Sequence, residues 1–479
     1  MSFAFRSDAF INGEWRSAAR RFPVQNPATQ QVVAEVPDLG ASDAEDAIAA
    51  ANAAFPAWAA KTAKERAGVM RRWYDLMMAD IDRLAFLITL EGGKPLPEAK
   101  GEATYGASFI EWFGEEAKRA YGRTIPTTTP TRRYITVKQP IGVCVAITPW
   151  NFPMAMITRK AGPALAAGNT IVLKPPQQTP LTALALAELG EQAGLPKGAF
   201  NVVTTTQASE IGRVFCESPI VRKFSFTGST AVGKKLGAAC IASNVKRVSL
   251  ELGGNAPLIV FADADIDKAV TGAVASKFRN AGQTCVCANR ILVEDAIYDE
   301  FAQKLAKAVS ALKVGAGDGA GVEIGPLIDA KAIEKVERMV GEALASGAQA
   351  LTGGARHNAG AQFYTPTVLA NVTADMRVNR EEIFGPVAPL IRFKTDDEAV
   401  RIANDTEFGL ASYFFTKDVH RAWRVAERLD YGMVSINDGI LSNEVIPFGG
   451  IKESGIGREG GVEGLDEYLD VKYINFGGF

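Results

Sequence analysis

Cys285 stands in Gly282-Gln283-Thr284-Cys285-Val286-Cys287, a small and polar approach to a thiol rather than a core-filling segment. A positioned thiolate attacks carbonyl carbon readily and gives a covalent thioester or thiohemiacetal. The chain has only two histidines, His357 and His420, and neither lies near a plausible motif. A Cys/His or Ser/His/Asp machine is therefore hard to assemble, and some group other than imidazole must manage protons.

Three further stretches offer suitable groups. Thr148-Pro149-Trp150-Asn151 follows an apolar run, and the Asn151 side chain supplies a neutral N–H donor suited to a developing oxyanion. Standing alone, Asn151 reads more readily as an asparagine that satisfies its own turn. Glu251 lies between Leu250 and Leu252 ahead of Gly253-Gly254. Desolvation there raises a carboxylate towards general-base range. Phe224 to Gly233 has the form of a strand, a glycine turn at Gly228-Ser229 and a helix start, where amides and dipole can meet a pyrophosphate. It lacks the second glycine of a dinucleotide fingerprint, and Glu251 stands 23 residues beyond Gly228, near a ribose-binding position. On residues alone Glu251 keeps both readings. Lys174, at the end of another apolar run, can donate to ribose hydroxyls or phosphate, or simply be solvated.

The elements that must hold these residues are legible in outline. The first 120 residues read as mostly helical. Ser42 with Glu45 forms a capping box for a helix over 43–60, and a second helix runs from Lys64 to Glu91, stopped by Gly92-Gly93 and Pro95. Residues 132–138 alternate as a half-exposed strand ending at Pro140. From 141, short apolar runs at 143–147, 170–173 and 200–203 alternate with helical segments, one of them at 180–193, which argues for parallel βαβ units. The alternation resumes after Gly253-Gly254, near 255–262, 290–293 and 385–436. The tail, 467–474, alternates like a strand too, and such terminal strands invite pairing within or between subunits.

Composition bounds the rest. A chain of 479 residues exceeds one hydrophobic core. Its net charge of −2, with both signs interspersed, predicts no nucleic-acid partner. No apolar run approaches the roughly 20 residues of a membrane span, and the first residues do not read as a signal peptide. Five cysteines in so long a chain make no disulfide framework, so a reducing, cytoplasmic setting is expected. No metal-ligand spacing occurs.

With these residues in hand, the chain resembles the NAD(P)-dependent aldehyde dehydrogenase superfamily nearly end to end. The motifs that carry the resemblance are Thr148–Pro153, Lys174–Pro180, Phe226–Thr230, Glu251–Asn255, Gly282–Cys285, Glu381–Pro386 and Pro447–Gly450. The resemblance implies an α/β fold with a Rossmann-type cofactor domain, an α/β catalytic domain and a small β oligomerisation arm. It implies residues 1–120 and 141–253 for the cofactor domain, 254–440 for the catalytic domain, 121–140 and 461–479 for oligomerisation strands, and 441–460 as a return segment. Cys285 is then the nucleophile, Glu251 the general base and Asn151 the oxyanion donor. Thr148, Pro149, Trp150, Lys174, Gln177, Gly228, Ser229, Glu382 and Phe384 are implied around an NADP or NAD cofactor. The succinate-semialdehyde subfamily is the nearest match, through 278–287, 156–160 and 442–448, and implies Arg159, Arg279 and Ser442 around the distal carboxylate of an aldehyde substrate. Dehydrogenases of glutarate semialdehyde or other ω-oxo acids, and a non-catalytic member of the fold, are the alternatives. NAD-preferring relatives often carry Glu where this chain has Gln177, so NADP is somewhat favoured. The resemblance also implies a homodimer or homotetramer, and a possible redox pair of Cys285 with Cys287.

Overall fold

Two twisted sheets, each built around parallel strands, stand side by side in the computed structural model, which describes residues 3–478. The first sheet has eight strands. In spatial order they are Gly455–Ile456, Arg247–Glu251, Val221–Thr227, Val143–Ile147, Thr170–Lys174, Phe200–Val202, Ala9–Ile11 and Glu14–Arg16. The central five are parallel. All five residues of Val143–Ile147 and of Thr170–Lys174 are buried, as expected for strands covered by helices on both faces. The chain starts in the middle at Val143–Ile147, winds outward one way, and then returns to add Val221–Thr227 on the other side. The strand order therefore reverses between Val143–Ile147 and Val221–Thr227, and a crevice opens beyond their carboxyl ends.

The second sheet has seven strands, in the order Gln349–Thr352, Thr367–Ala370, Val387–Phe393, Ala288–Glu294, Ala256–Val260, Ala411–Phe415 and Met433–Ile436. Only Gln349–Thr352 runs antiparallel to its neighbour. Its core gathers Leu258, Ile291, Leu390 and Phe414 from four adjacent strands. Ala256–Val260 follows Glu251 after four loop residues. The amino ends of the second sheet thus begin where a carboxyl end of the first stops, and the crevice lies between them.

A third, antiparallel sheet joins Arg123–Ile125, Arg132–Pro140 and Leu469–Gly477. The two long strands pair over nine positions, from Leu469 opposite Pro140 to Gly477 opposite Arg132. The expected pairing of the terminal strands occurs within one chain, and Leu469–Gly477 keeps an open edge with Val471 and Tyr473 exposed.

Local expectations differ in three places. The first helix, Ala41–Ala59, begins two residues early: Gly40 is its cap, and the Asp43 carboxylate accepts the Gly40 N–H at 3.0 Å. The Ser42/Glu45 box does not form. The expected single helix from Lys64 to Glu91 is two, Ala63–Ala79 and Ile81–Gly92, broken at Asp80. Its capping box is Thr62 with Glu65, whose carboxylate accepts the Thr62 N–H at 2.8 Å. The first 37 residues, expected to be helical, contribute four short strands. Strands of three to six residues carry too little periodicity to stand out beside Ala-rich helices.

Candidate active site

One cavity of about 270 Å³ opens in the crevice between the sheets. Pro149, Trp150 and Asn151 enter it from the turn after Val143–Ile147, and Thr227, Gly228 and Ser229 from the turn after Val221–Thr227. These are the two strands where the order reverses. From the second sheet come Cys285, Lys335, Glu382 and Phe384. Trp150 and Phe384 meet edge to face with ring centroids 5.6 Å apart.

Cys285 follows a turn in which Asn280, Ala281 and Gly282 all adopt left-handed backbone, with φ of 53°, 54° and 74°. Non-glycine residues pay a steric penalty there, so the surroundings must hold the turn. They do. The Asn280 N–H donates to Glu98 Oε2 at 2.9 Å, Asn280 Nδ2 donates to the Asn151 carbonyl at 3.0 Å, and Gln283 Oε1 accepts the Ile328 N–H at 2.9 Å. Burial pushes the Cys285 thiol up to about 12; the Arg159 charge opposes this, while Glu382 and Glu251 add to it. The resting group is a neutral thiol, and it needs help to ionise.

Asn151 is held from both ends of its turn. Lys94 Nζ donates to the Asn151 carbonyl at 3.0 Å and pairs with the buried Glu102, whose Oε1 accepts the Met154 N–H at 2.9 Å. The Asn151 amide donates to the Gln283 carbonyl at 3.0 Å, two residues before the thiol. Its second N–H is free to meet a carbonyl oxygen of substrate.

Glu251 ends the strand Arg247–Glu251, almost wholly buried, and neither carboxylate oxygen has a hydrogen-bond partner. Burial, and then the nearby Glu459, drive its proton affinity well above the ordinary carboxylate range, against the pull of Arg159 and Lys160. A carboxyl held this way keeps its proton more tightly than an exposed one, and once ionised it is a strong base.

Around it lies a network that the sequence did not announce. Glu459 pairs with Arg159 at 2.5 Å and with Lys160, and all three are buried. Burial pushes the Glu459 carboxyl up, but Lys160 and Arg159 together outweigh that and hold it below the usual range. Arg159 and Lys160 lie on the helix Ala155–Ala167, in which every residue is buried. A charged pair normally marks an exposed face, so nothing local marked this helix as interior. Glu459 stood among glycines with no periodic context, and only its burial reveals it.

The remaining predicted residues separate into groups. The Lys174 ammonium is buried, donates to the Pro175 carbonyl at 3.1 Å, and is pushed down to about 8 by burial. Gln177 is exposed and lines a different cavity with Glu91, Gln178 and Asp329, apart from Cys285. Ser229 caps the helix Thr230–Ser243 without a side-chain bond, which leaves its hydroxyl and the first helical amides open. Thr148 Oγ1 and Thr227 Oγ1 are buried without partners near the same crevice. Glu382 Oε1 accepts the Gly254 N–H at 3.1 Å, and burial raises its carboxyl to about 7. Open helix amides, orphaned hydroxyls, an ammonium paired with no carboxylate and two aromatic rings fit a nicotinamide dinucleotide. Arg279 stacks on Phe152 at 5.1 Å, Arg159 on Phe448 at 4.2 Å, and Ser442 is half-buried between Met433–Ile436 and Phe448. Cys287 is buried and unpaired to Cys285; its thiol donates to the Gly282 carbonyl at 3.2 Å, with Lys277 Nζ 3.8 Å away. Among the described residues no helix is long and apolar enough to cross a membrane.

Comparison with known proteins agrees with this arrangement. The model of the aldehyde dehydrogenase family matches residues 15–474. The NADP(+) succinate-semialdehyde dehydrogenase of Escherichia coli K12 is 59% identical over 475 residues, covering 99% of this chain and 98% of that protein. The glutarate-semialdehyde dehydrogenase of Pseudomonas aeruginosa PAO1 is 58% identical over 476 residues, with coverage of 99% and 98%. A crystal structure of an E. coli NADP-dependent enzyme superimposes with a TM-score of 0.98 at 58% identity, covering 99% of this chain and 98% of that one. A thiol, an amide donor and cofactor-type turns gathered in one crevice, on this fold and at this identity, place the chain in the aldehyde dehydrogenase family.

Proposed function

We propose that the protein oxidises succinate semialdehyde, or the one-carbon-longer glutarate semialdehyde, to the dicarboxylate with NADP⁺ or NAD⁺. The observation that carries this reading is the sharing of one cavity by Cys285, Asn151, Gly228, Ser229, Glu382 and Phe384. The names of the relatives support both substrates, and one methylene is a small difference for a pocket to resolve.

In this reading the Cys285 thiol loses its proton to Glu251, directly or through water, and sulfur attacks the aldehyde carbon. The free N–H of Asn151 and the backbone N–H of Cys285 take the oxyanion. The nicotinamide, when bound, accepts the hydride. Cys285 then carries a thioester, and Glu251, having passed the thiol's proton on to solvent, takes a proton from the water that cleaves it. Lys174 would hold the 2′-phosphate of NADP⁺ and the amides after Gly228 and Ser229 the pyrophosphate, while Glu382 and Phe384 would position the nicotinamide end and Trp150 would flank the cleft. Thr148 and Pro149 shape its floor. Gln177, which lines a cavity apart from Cys285, would meet only the adenosine end of an extended dinucleotide, where the lack of an acid leaves a 2′-phosphate unrepelled and favours NADP⁺. Arg159, Arg279 and Ser442 take the distal carboxylate, since a guanidinium matches it in shape and charge.

The functional division follows the sheets. Residues 1–120 and 141–253 bind cofactor, 254–440 carry the thiol, 441–460 return to the first sheet, and 121–140 with 461–479 join copies of the chain into a dimer or tetramer. The open edge of Leu469–Gly477 supports that last role. Five unpaired cysteines suit a reducing compartment such as the cytoplasm.

The test is a panel of ω-oxo acids and neutral aldehydes run with both cofactors. A pre-steady-state burst of reduced cofactor with succinate or glutarate semialdehyde is expected; no turnover of any aldehyde would favour a non-catalytic member of the fold.

A further inference from the structure

Tyr105 lies on the helix Leu96–Glu116 and packs against Phe152, Ala155 and Met156, the residues just past Asn151. Its ring meets Phe109 edge to face at 4.9 Å, so its orientation is fixed by packing. Its hydroxyl is shut off from solvent, with no well-formed hydrogen bond and the Arg159 guanidinium as its polar neighbour. A buried hydroxyl without a well-formed bond costs stability, so a fold that keeps one invites an explanation.

Two guanidinium groups stand near this hydroxyl, one buried and one half-buried. Arg159 uses Nε against Glu459, but its Nη2 is buried and unpartnered. Arg279 stacks on Phe152 at 5.1 Å, and no carboxylate within the described residues forms an ion pair with it. Both guanidinium charges act on the Tyr105 hydroxyl, opposing the effect of its burial. The Arg159 charge also acts on the Cys285 thiol, so these donors stand close to the nucleophile. Three donor groups from three elements converge, and the one acceptor among them, the Glu459 carboxylate, is taken up by Arg159 Nε and Lys160.

We propose that Tyr105 is a specificity-determining residue whose hydroxyl donates to the distal carboxylate of the substrate, completing with Arg159 and Arg279 a three-armed anion pocket. This rests on the reading of the substrate as an ω-oxo acid. A carboxylate has two oxygens with about four acceptor positions, enough for two guanidinium groups and one hydroxyl. A neutral aldehyde of equal length leaves all three donors unsatisfied, and a site built this way rejects it strongly. Tyr105 does not touch the reacting carbon, so its contribution falls on substrate binding.

The experiment compares the wild-type full-length enzyme, Tyr105→Phe and Arg279→Gln on succinate semialdehyde and on butanal, with kcat and KM read separately. Tyr105→Phe keeps the ring and its packing. It is expected to raise KM for succinate semialdehyde about tenfold with kcat nearly unchanged, and to leave KM for butanal unchanged or lower. If Arg279→Gln raises KM for the acid but Tyr105→Phe does not, the role of Tyr105 is overturned while the anion pocket stands. Equal changes on both substrates overturn it too, since that is what a merely structural role produces. A wild type that prefers butanal overturns the ω-oxo-acid reading, and this proposal with it.

Discussion

A methyl group placed on Gly254 would lie 2.3 Å from the carbonyl oxygen of Cys285. The first residues after the Glu251 strand therefore press directly on the backbone of Cys285, and only a glycine permits that approach. Gly254→Ala is expected to push the Cys285 turn out of place. Activity should fall by at least about a hundredfold, as small misplacements do in a preorganised site, with a stability loss of about 1–3 kcal/mol. Steady-state kinetics together with thermal melts check both.

Removing each reactive group should have a different effect. Cys285→Ser should abolish the burst of reduced cofactor. Glu251→Gln should slow the burst, because Glu251 takes the thiol proton, and should slow hydrolysis as well, by roughly 10²–10⁴-fold. An unchanged burst in Glu251→Gln would mean that the thiol ionises by another route. Stopped-flow absorbance at the reduced-nicotinamide band separates the two.

The two arginines should behave differently on removal. Arg159 shares the buried Glu459 with Lys160, so Arg159→Met leaves that carboxylate with less compensation and should cost about 3 kcal/mol of stability. Arg279 is bound to no carboxylate, and Arg279→Met should cost much less. A thermal melt with a Tm that falls more for Arg159→Met is the expected outcome; equal shifts would contradict the assigned pairing.

Cofactor preference should depend on pH through Lys174. Burial lowers its ammonium to about 8, so it is charged below that pH and neutral above it. A phosphate needs the charged form. The ratio of kcat/KM for NADP⁺ over NAD⁺ should be flat below about pH 7 and fall as pH rises through 8. Taking the ratio cancels the titrations of Cys285 and Glu251, which affect both cofactors. In Lys174→Gln the pH dependence should vanish.

Cys287 offers a redox test. With Cys285 two residues away, peroxide can oxidise one thiol to a sulfenic acid, which the other displaces to form a disulfide and water. Inactivation of the wild type should be reversed by dithiothreitol, and that of Cys287→Ser much less so. Wild-type inactivation that no thiol reductant reverses would exclude the pair.

Much of the chemistry was legible in the chain. Cys285 was conspicuous because so few histidines compete with it, Glu251 because an acid between two leucines is out of place, and Asn151 and Gly228 because they follow apolar runs that end in turns. These are local signals, and local propensity carries them. The helix break at Asp80 and the four short strands before residue 38 were not visible, because each depends on what packs against it.

The sequence alone determined the reagents: a thiol, a desolvated acid and an amide donor, on alternating strands and helices. Only the tertiary structure decided that Glu459 would sit with Arg159 across 300 residues of chain, that Gln177 would face a separate cavity, and that Tyr105 would stand beside the guanidinium groups of Arg159 and Arg279. Ionisation and hydrogen bonding depend on who the neighbours are in space, and in a doubly wound fold those neighbours come from distant segments that no local pattern brings together.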